Sequence, residues 1–336
     1  MNQYIPRVTG LLVIEVRNSN PNGDPDRESD PRTRAHDGKG MISDVSFKRK
    51  LRELLLNDKG EVWIQMASLL GLSADTFKVH VDQTSRDEEK QLAATSAEKL
   101  KAKVNEVKKH KLKHEDEEAK IKVLEGEAKA QYAKGLCKRY WDIRVFGSTI
   151  LETGNNFIRT GAVQFSLGVS AAKVRIQRDT NTVSVNVDAS TDKDRGMAPL
   201  GFRVVEHGVY AMPFLINPTA AAKSDCTRED IELLCRLIPY AYAHNASRIR
   251  PLVEVRHAWY FEHINQLGSA SDFAILDLLT PKKADPTTPS SSWDDYAYDG
   301  GKLLTKIQDQ FKDRFKHFGD LTDPGFVERV FPRQHG

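Results

Sequence analysis

The chain has 336 residues, 39% of them hydrophobic and 29% charged, which is enough apolar material for a packed core and excludes wholesale disorder. With 50 Lys and Arg against 47 Asp and Glu the net charge is +3, so the distribution of charge, not its sum, must decide on a nucleic-acid partner. No apolar run approaches the ~18 residues of a membrane span, no signal-peptide pattern opens the chain, and Cys137, Cys226 and Cys235 form no C-x-x-C, which fits a reduced, cytoplasmic protein without a zinc site or disulfide framework.

Thr9–Asn18 reads as a strand, with Leu12, Ile14 and Val16 on one face. Asn18-Ser-Asn-Pro-Asn-Gly-Asp-Pro-Asp26 follows as a turn cluster, because Asn and Asp bond to nearby backbone, Pro presets φ and Gly tolerates positive φ. The loop runs on to about Gly40. A helix then starts at Ser43 or Asp44 and places Phe47, Leu51, Leu54 and Leu55 on a buried face. A strand is expected at Phe77–Val81. From Arg86 to Lys134, 24 of 49 residues are charged, 13 positive and 11 negative. Leu100, Val104 and Val107 supply an apolar stripe there, which predicts one or two long helices in a projecting hairpin.

Globular composition returns at Cys137–Ile150, with strands expected at Gly161–Ser170 and Ala172–Ile176. Gln177–Phe202 is a polar arm or hairpin in which Val183, Val185 and Val187 alternate. Val204–Ile216 is a strand region, and Pro213 marks it as an edge or bulge. Thr227–Ala243 is a helix opened by a capping box of Thr227 and Asp230. Leu252–Phe261 is a strand, Pro281–Gly301 a Pro/Ser linker, and Lys302–Phe318 an amphipathic helix. The order of strands and helices fits an α+β, ferredoxin-like split βαβ with long insertions.

Each chemical feature competes with a plainer one. Asp24, Asp26, Glu28 and Asp30 can hold a divalent cation, but they lack the calcium-loop spacing, and a hydrogen-bonded turn is favoured. Asp188, Asp192 and Asp194 fall short in the same way. His110 and His114 lie four apart on the charged helix, with no cysteine near to complete a zinc site. His257 and His263 stand roughly 20 Å apart along a strand. There is no P-loop, no G-x-S-x-G and no G-x-G-x-x-G, which weakens nucleotidase, hydrolase and dehydrogenase readings.

Lys48-Arg-Lys-Leu-Arg52 is more informative. Four cations within about 1.4 turns repel by a few tenths of a kcal/mol per pair, and a phosphate backbone across the helix offsets that. The alternative is an ordinary solvated face. The polar arm sets Arg178, Lys193 and Arg195 beside Met197, Leu200 and Phe202, cations next to apolar side chains that suit phosphates and bases; a hairpin packed on the core is equally open. The charged segment 86–134 has one aromatic residue and reads as a solvated helical pair, not an RNA-binding surface.

Leu12–Asp26 (LVIEVRNSNPNGDPD) with Asp44–Arg52 (DVSFKRKLR) resembles the start of the CRISPR-associated backbone family, family seven, of type I Cascade complexes, the type I-C branch first and type I-B second. Asp142–Ser148 (DIRVFGS), Thr160–Phe165 (TGAVQF) and Met197–Tyr210 are similar to later segments of that family, and the charged insertion sits where type I-C members carry one. The resemblance covers roughly residues 8–280.

The resemblance implies a ferredoxin-like, RNA-recognition-like palm with a helical finger insertion and a β-hairpin thumb. The organisation expected is palm with loop and basic helix at 1–85, insertion at 86–135, palm at 136–176, thumb at 177–203, palm completed at 204–280, and a linker with C-terminal helix at 281–336. It implies a non-catalytic subunit that oligomerises along CRISPR RNA in antiviral defence and presents it for pairing with target DNA. The partners are then the guide, further copies of the chain and other Cascade subunits, with no cofactor, catalytic residue, metal or membrane. Lys48, Arg49, Lys50 and Arg52, with Arg159, Gln164, Asn20 and Asn22, become RNA contacts. Arg178, Arg195, Met197, Leu200 and Phe202 become thumb residues. The rival is a metal-dependent ribonuclease using Asp24 or Asp26, as in backbone proteins of related type III complexes.

Overall fold

In the computed structural model, which describes residues 5–56, 59–80, 83–109, 114–150, 157–184 and 197–332, the chain opens with β1 (Val8–Ser19). Its first nine residues are all buried. The expected face of Leu12, Ile14 and Val16 is thus only half of its apolar surface, and Leu11 and Val13 supply the rest. Short strands β2 (Gly23–Asp24) and β3 (Asp30–Pro31) pair within the loop, and β4 (Lys39–Ile42) precedes α1 (Asp44–Leu56). Ser43 caps α1, its Oγ accepting from Ser46 N at 3.2 Å.

Helix α2 (Glu61–Leu70) follows, an element the sequence expectations pass over. The strand expected at Phe77–Val81 does not form in the described part: Lys78 alone makes a bridge, with Tyr140, and Val81 lies outside the described residues. The backbone here is satisfied by side chains instead. Arg144 donates to the Thr76 carbonyl, and His80 N donates to Asp142.

The charged segment is helical, as α3 (Gln83–Lys109) and α4 (His114–Arg139). Its stripe residues Leu100, Val104 and Val107 are half-buried, while a compact apolar cluster at the root holds Ala93, Tyr132, Leu136, Tyr140 and Ile143. Then come α5 (Trp141–Phe146) and the two-stranded pair β5 (Gly147–Ile150) and β6 (Phe157–Thr160). Gly147 has φ +80°, and a Cβ there would meet Arg159 O at 2.3 Å; one on Gly161 would meet Gly147 N at 2.2 Å. The glycines of the two motif segments DIRVFGS and TGAVQF therefore allow the backbones to touch.

The remaining strands are β7 (Val163–Phe165), β8 (Gly168–Lys173), β9 (Ile176–Ser184) and β10 (Met197–Ile216). After α6 (Pro218–Ser224) and α7 (Arg228–Leu237) the chain forms β11 (Val253–His263), α8 (Asp272–Leu279), α9 (Gly300–Phe311), β12 (Phe315–Asp320) and α10 (Pro324–Val330). The capping box of α7 is reciprocal: Thr227 N donates to Asp230 at 2.8 Å and Asp230 N to Thr227 Oγ1 at 3.2 Å.

The principal sheet runs β12-β11-β1-β10-β8-β4, with β9 also pairing with β10. Taken along the chain, β1, α1, β8, β10, α7 and β11 are a β-α-β-β-α-β series whose strands lie in spatial order fourth, first, third, second. That is the ferredoxin-like arrangement expected of the α+β chain. One core cluster of this sheet joins Leu11, Val209, Trp259, Phe261, Ile307 and Phe315.

Two expectations fail near the C-terminus. Residues 281–301 are not a linker but a packed loop: Ser290 bonds His207 at 2.8 Å and Tyr296 at 3.0 Å, and Tyr298 accepts from Trp259 at 2.7 Å. Pro and Ser there signal irregular backbone, while the aromatic residues beside them signal burial. The helix expected to Phe318 stops at Phe311, where Lys312 has φ +37°. Phe315–Asp320 instead pairs along β11, setting Phe318 opposite Phe261 with rings 6.0 Å apart, which covers a strand edge that would otherwise be open.

The chain divides into two compact units. The first contains Arg52–Gln164 and Ile216–Cys235 with the N-terminal end through Arg7; the second contains Val8–Leu51, Phe165–Leu215 and Arg236–Gly336. No helix among the described residues is long and apolar enough to cross a membrane.

Candidate nucleic-acid interface

In the second unit the loop after β1 is held from several sides. Asn20 is buried; its N donates to Ile249 O at 2.7 Å, its Nδ2 to Ser29 O at 2.8 Å, and its carbonyl accepts from Arg250 at 2.9 Å. Asn22 is half-buried, and its Oδ1 accepts from Ser43 N at 2.7 Å, which ties the loop to the start of α1. Both asparagines, expected to touch RNA, use these side-chain atoms to shape the loop.

Three acidic residues of the loop, Asp24, Glu28 and Asp30, face arginines. Asp24 accepts from Asp26 N at 3.3 Å and pairs with Arg32 at 3.4 Å and Arg27 at 4.0 Å. Asp30 takes Arg178 at 2.8 and 3.0 Å and Arg203 at 3.3 Å, while Glu28 pairs with Arg203. The hydrogen bond from Arg178 leads the causes that hold the Asp30 carboxyl below its ordinary range. Among the described residues no three His, Cys, Asp or Glu side chains converge as a metal site requires.

Asp30 fixes the base of the arm. Strands β9 and β10 pair in register with Arg178 opposite Arg203. Directly opposed cations repel, and Asp30 lies between them as the shared counter-charge. The backbone of the expected thumb is thus a hairpin. Met197 is opposite Ser184, Leu200 opposite Asn181 and Phe202 opposite Asp179, and Phe202 is half-buried. Arg195 lies outside the described residues, as do Asp188, Asp192, Asp194 and His110. Arg203, Arg32 and Arg250 were not singled out from sequence; the signal available was the alternation of Arg and Asp between the loop and the arm.

Helix α1 is not a uniform cationic face. Lys48 pairs with Asp44 one turn earlier at 2.9 Å. Lys50 is buried, and its carbonyl accepts from Asn245 at 2.9 Å. Arg49 is exposed. Arg52, in the first unit, donates to Asp142 at 2.8 Å and lies over the Phe146 ring at 5.2 Å. The helix buries most of its circumference, so cations that the sequence places close together meet different environments.

Arg159 and Gln164 belong to the first unit. Arg159 stands 3.2 Å from Cys137 Sγ and 3.8 Å from Asp225. Burial raises the Cys137 pKa, although the nearby guanidinium pulls the other way. Gln164 is exposed, and its Nε2 donates to Gly161 O at 3.1 Å.

A scan of protein-family models matches residues 6–300 to CRISPR-associated protein Cas7. A search of curated proteins finds no match. Among solved structures, a chain of a "CRISPR RNA-guided surveillance complex, pre-nicking" is 13% identical, with 98% of this chain and 90% of that one covered and a TM-score of 0.45. A chain of a "CRISPR RNA-guided surveillance complex" is 12% identical over 98% of this chain and 86% of that one, with a TM-score of 0.41. A chain of the Type III-B Cmr-beta complex bound to cognate target RNA is 11% identical over 76% and 61%, with a TM-score of 0.38. The family match spans most of the sequence, and on that ground the chain belongs to the CRISPR-associated Cas7 family.

Proposed function

We propose that this chain is a non-catalytic backbone subunit that binds CRISPR RNA, polymerises along it with further copies of itself and other subunits of a type I Cascade complex, and presents it for pairing with target DNA in the cytoplasm. The observation that carries this reading is the family match over residues 6–300. The strand–turn segment Leu12–Asp26 and the helix segment Asp44–Arg52, with the helical insertion of α3 and α4, favour the type I-C branch, then type I-B. The guide's sequence is read by Watson–Crick pairing, so the protein needs only to grip the backbone. Arg49 on the exposed side of α1, Lys48 beside it, and Arg159 and Gln164 are the guide contacts of this reading. The β9–β10 hairpin is its thumb.

The test is to produce the protein in cells with its own repeat array and companion subunits. Co-purification with RNA of uniform length supports the reading, and recovery as a nucleotide-free monomer overturns it. Replacing Arg49 with Glu should weaken guide binding whatever the sequence, and flatten the salt dependence by ~0.7 for the lost phosphate contact. The pairing of Asp24 and Asp30 with arginines favours an anchoring role for the acidic loop. Incubating the assembled complex with guide-matched RNA and Mg²⁺ should leave the RNA intact; evenly spaced cuts that disappear in Asp26→Ala would replace the scaffold by a ribonuclease.

A further inference from the structure

The second unit carries a cationic groove that lies apart from the basic helix and reaches the β9–β10 hairpin only at its base, at Ile176 and Arg178. Two clefts adjoin along the sheet edge formed by β8 and β4. One, of about 550 Å³, is lined by Lys39, Lys282 and Lys283 over a floor that includes Val169, Ala171 and Ala211. The other, of about 390 Å³, is lined by Lys173, Arg175 and Arg178. Lys39, which lines the first, and Lys173, which lines the second, are direct cross-strand partners. Among the described residues no Asp or Glu lines either cleft.

The counter-charges differ along this groove. Arg175 pairs with Glu206 at 3.3 Å, Arg178 with Asp30, and Lys283 donates to Thr288 at 2.7 Å and to the Asp285 carbonyl at 3.0 Å. Lys39, Lys173 and Lys282 make no ion pair among the described residues. Like charges directly opposite on neighbouring strands are destabilising. Where that happens at Arg178 and Arg203, the fold places Asp30 between them. At Lys39 and Lys173 it places none among the described residues.

We infer that the groove along β8 and β4 binds the phosphodiester backbone of a single nucleic-acid strand, its phosphates supplying the counter-charge that Lys39, Lys173 and Lys282 lack. The inference rests on the reading of the chain as a nucleic-acid-binding subunit and adds a second track to it. A row of cations over small apolar residues suits a chain of evenly spaced anions joined by riboses and flat bases. The backbone of the guide and that of the target strand offer the same chemistry.

The experiment compares the full-length protein with the variant Lys39→Gln, Lys173→Gln, Lys282→Gln, titrated with fluorescent single-stranded RNA and DNA of one sequence at several salt concentrations. Binding should weaken, and the slope of log K against log salt should flatten by about 2, three contacts at ~0.7 each. A change for RNA alone assigns the groove to the guide; a change for DNA alone assigns it to the target strand. Equal affinity and slope in variant and parent overturn the groove while Arg49→Glu still tests the general reading. A parent that binds neither strand overturns both. Polyglutamate that competes as well as the oligonucleotide overturns the nucleic-acid assignment. The variant's Tm should equal or exceed the parent's, because a like-charge contact is relieved; a lower Tm overturns the premise that these lysines oppose one another.

Discussion

Arg144 and Asp230 bind each other through two hydrogen bonds, 2.7 and 2.9 Å long, with side-chain exposures of 7% and 0%. Arg144 also donates to the carbonyls of Cys137 and Thr76, and Asp230 caps α7. Removing one partner leaves the other charge buried, so Asp230→Ala should lower stability by about 3–5 kcal/mol in a denaturant titration. Asp142 and Arg144 stand in the motif segment DIRVFGS, yet this chain uses both to knit its own first unit: Asp142 receives Arg52 and His80 N. Asp320 offers a pH test. Burial pushes its carboxyl up, but hydrogen bonds from His257 and from the N–H groups of Ala258 and Thr322 outweigh that and hold it below the usual carboxylate range. A depressed folded pKa gives stability that is present above the unfolded pKa of about 3.9 and is lost as pH falls through the folded value. Asp320→Asn should therefore be less stable than the parent at neutral pH, and the gap should close in acid, as followed by thermal melts across pH.

Among the elements, the hairpin of β9 and β10 and the pair α3–α4 are long, largely polar stretches of chain, and each is fastened near one end by a polar cluster. For the hairpin the fastener is Asp30 beneath Arg178 and Arg203. Asp30→Ala leaves two guanidiniums opposed, so amide exchange across 176–180 and 201–205 should quicken while the strands of the main sheet keep their protection. For the helical pair it is a polar cluster: Glu89 binds His80 at 2.9 Å and Tyr132 at 3.1 Å, and Glu88 binds Lys78 at 2.8 Å and Tyr140 at 3.0 Å. The helices were legible because composition and periodicity are local properties. Their fastening was not, since Glu88 and Glu89 look in sequence like two more charges on a solvated face. The same limit applies to Phe315 and Phe318, whose spacing fits a helix until the open edge of β11 draws them into a strand.

For the whole molecule, the reading as a backbone subunit makes a quantitative demand. A heterologous, head-to-tail contact continues until its template ends, so lengthening the guide should add subunits in proportion, measured as mass by light scattering; a mass independent of RNA length would contradict polymerisation. The order β1, α1, β8, β10, α7 and β11 of the ferredoxin-like core and the capped starts of α1 and α7 were written in the sequence by itself, because turn chemistry, capping and apolar period act between residues a few positions apart. Which cations stay at the surface was decided only by the tertiary structure. Lys50 and Arg52 are taken inward, Arg178 is spent on Asp30, and Lys39 and Lys173 are brought face to face from 134 positions apart (173 minus 39). Charge is placed by the chain, but its environment is set by strand register and burial, and these join residues far apart in sequence.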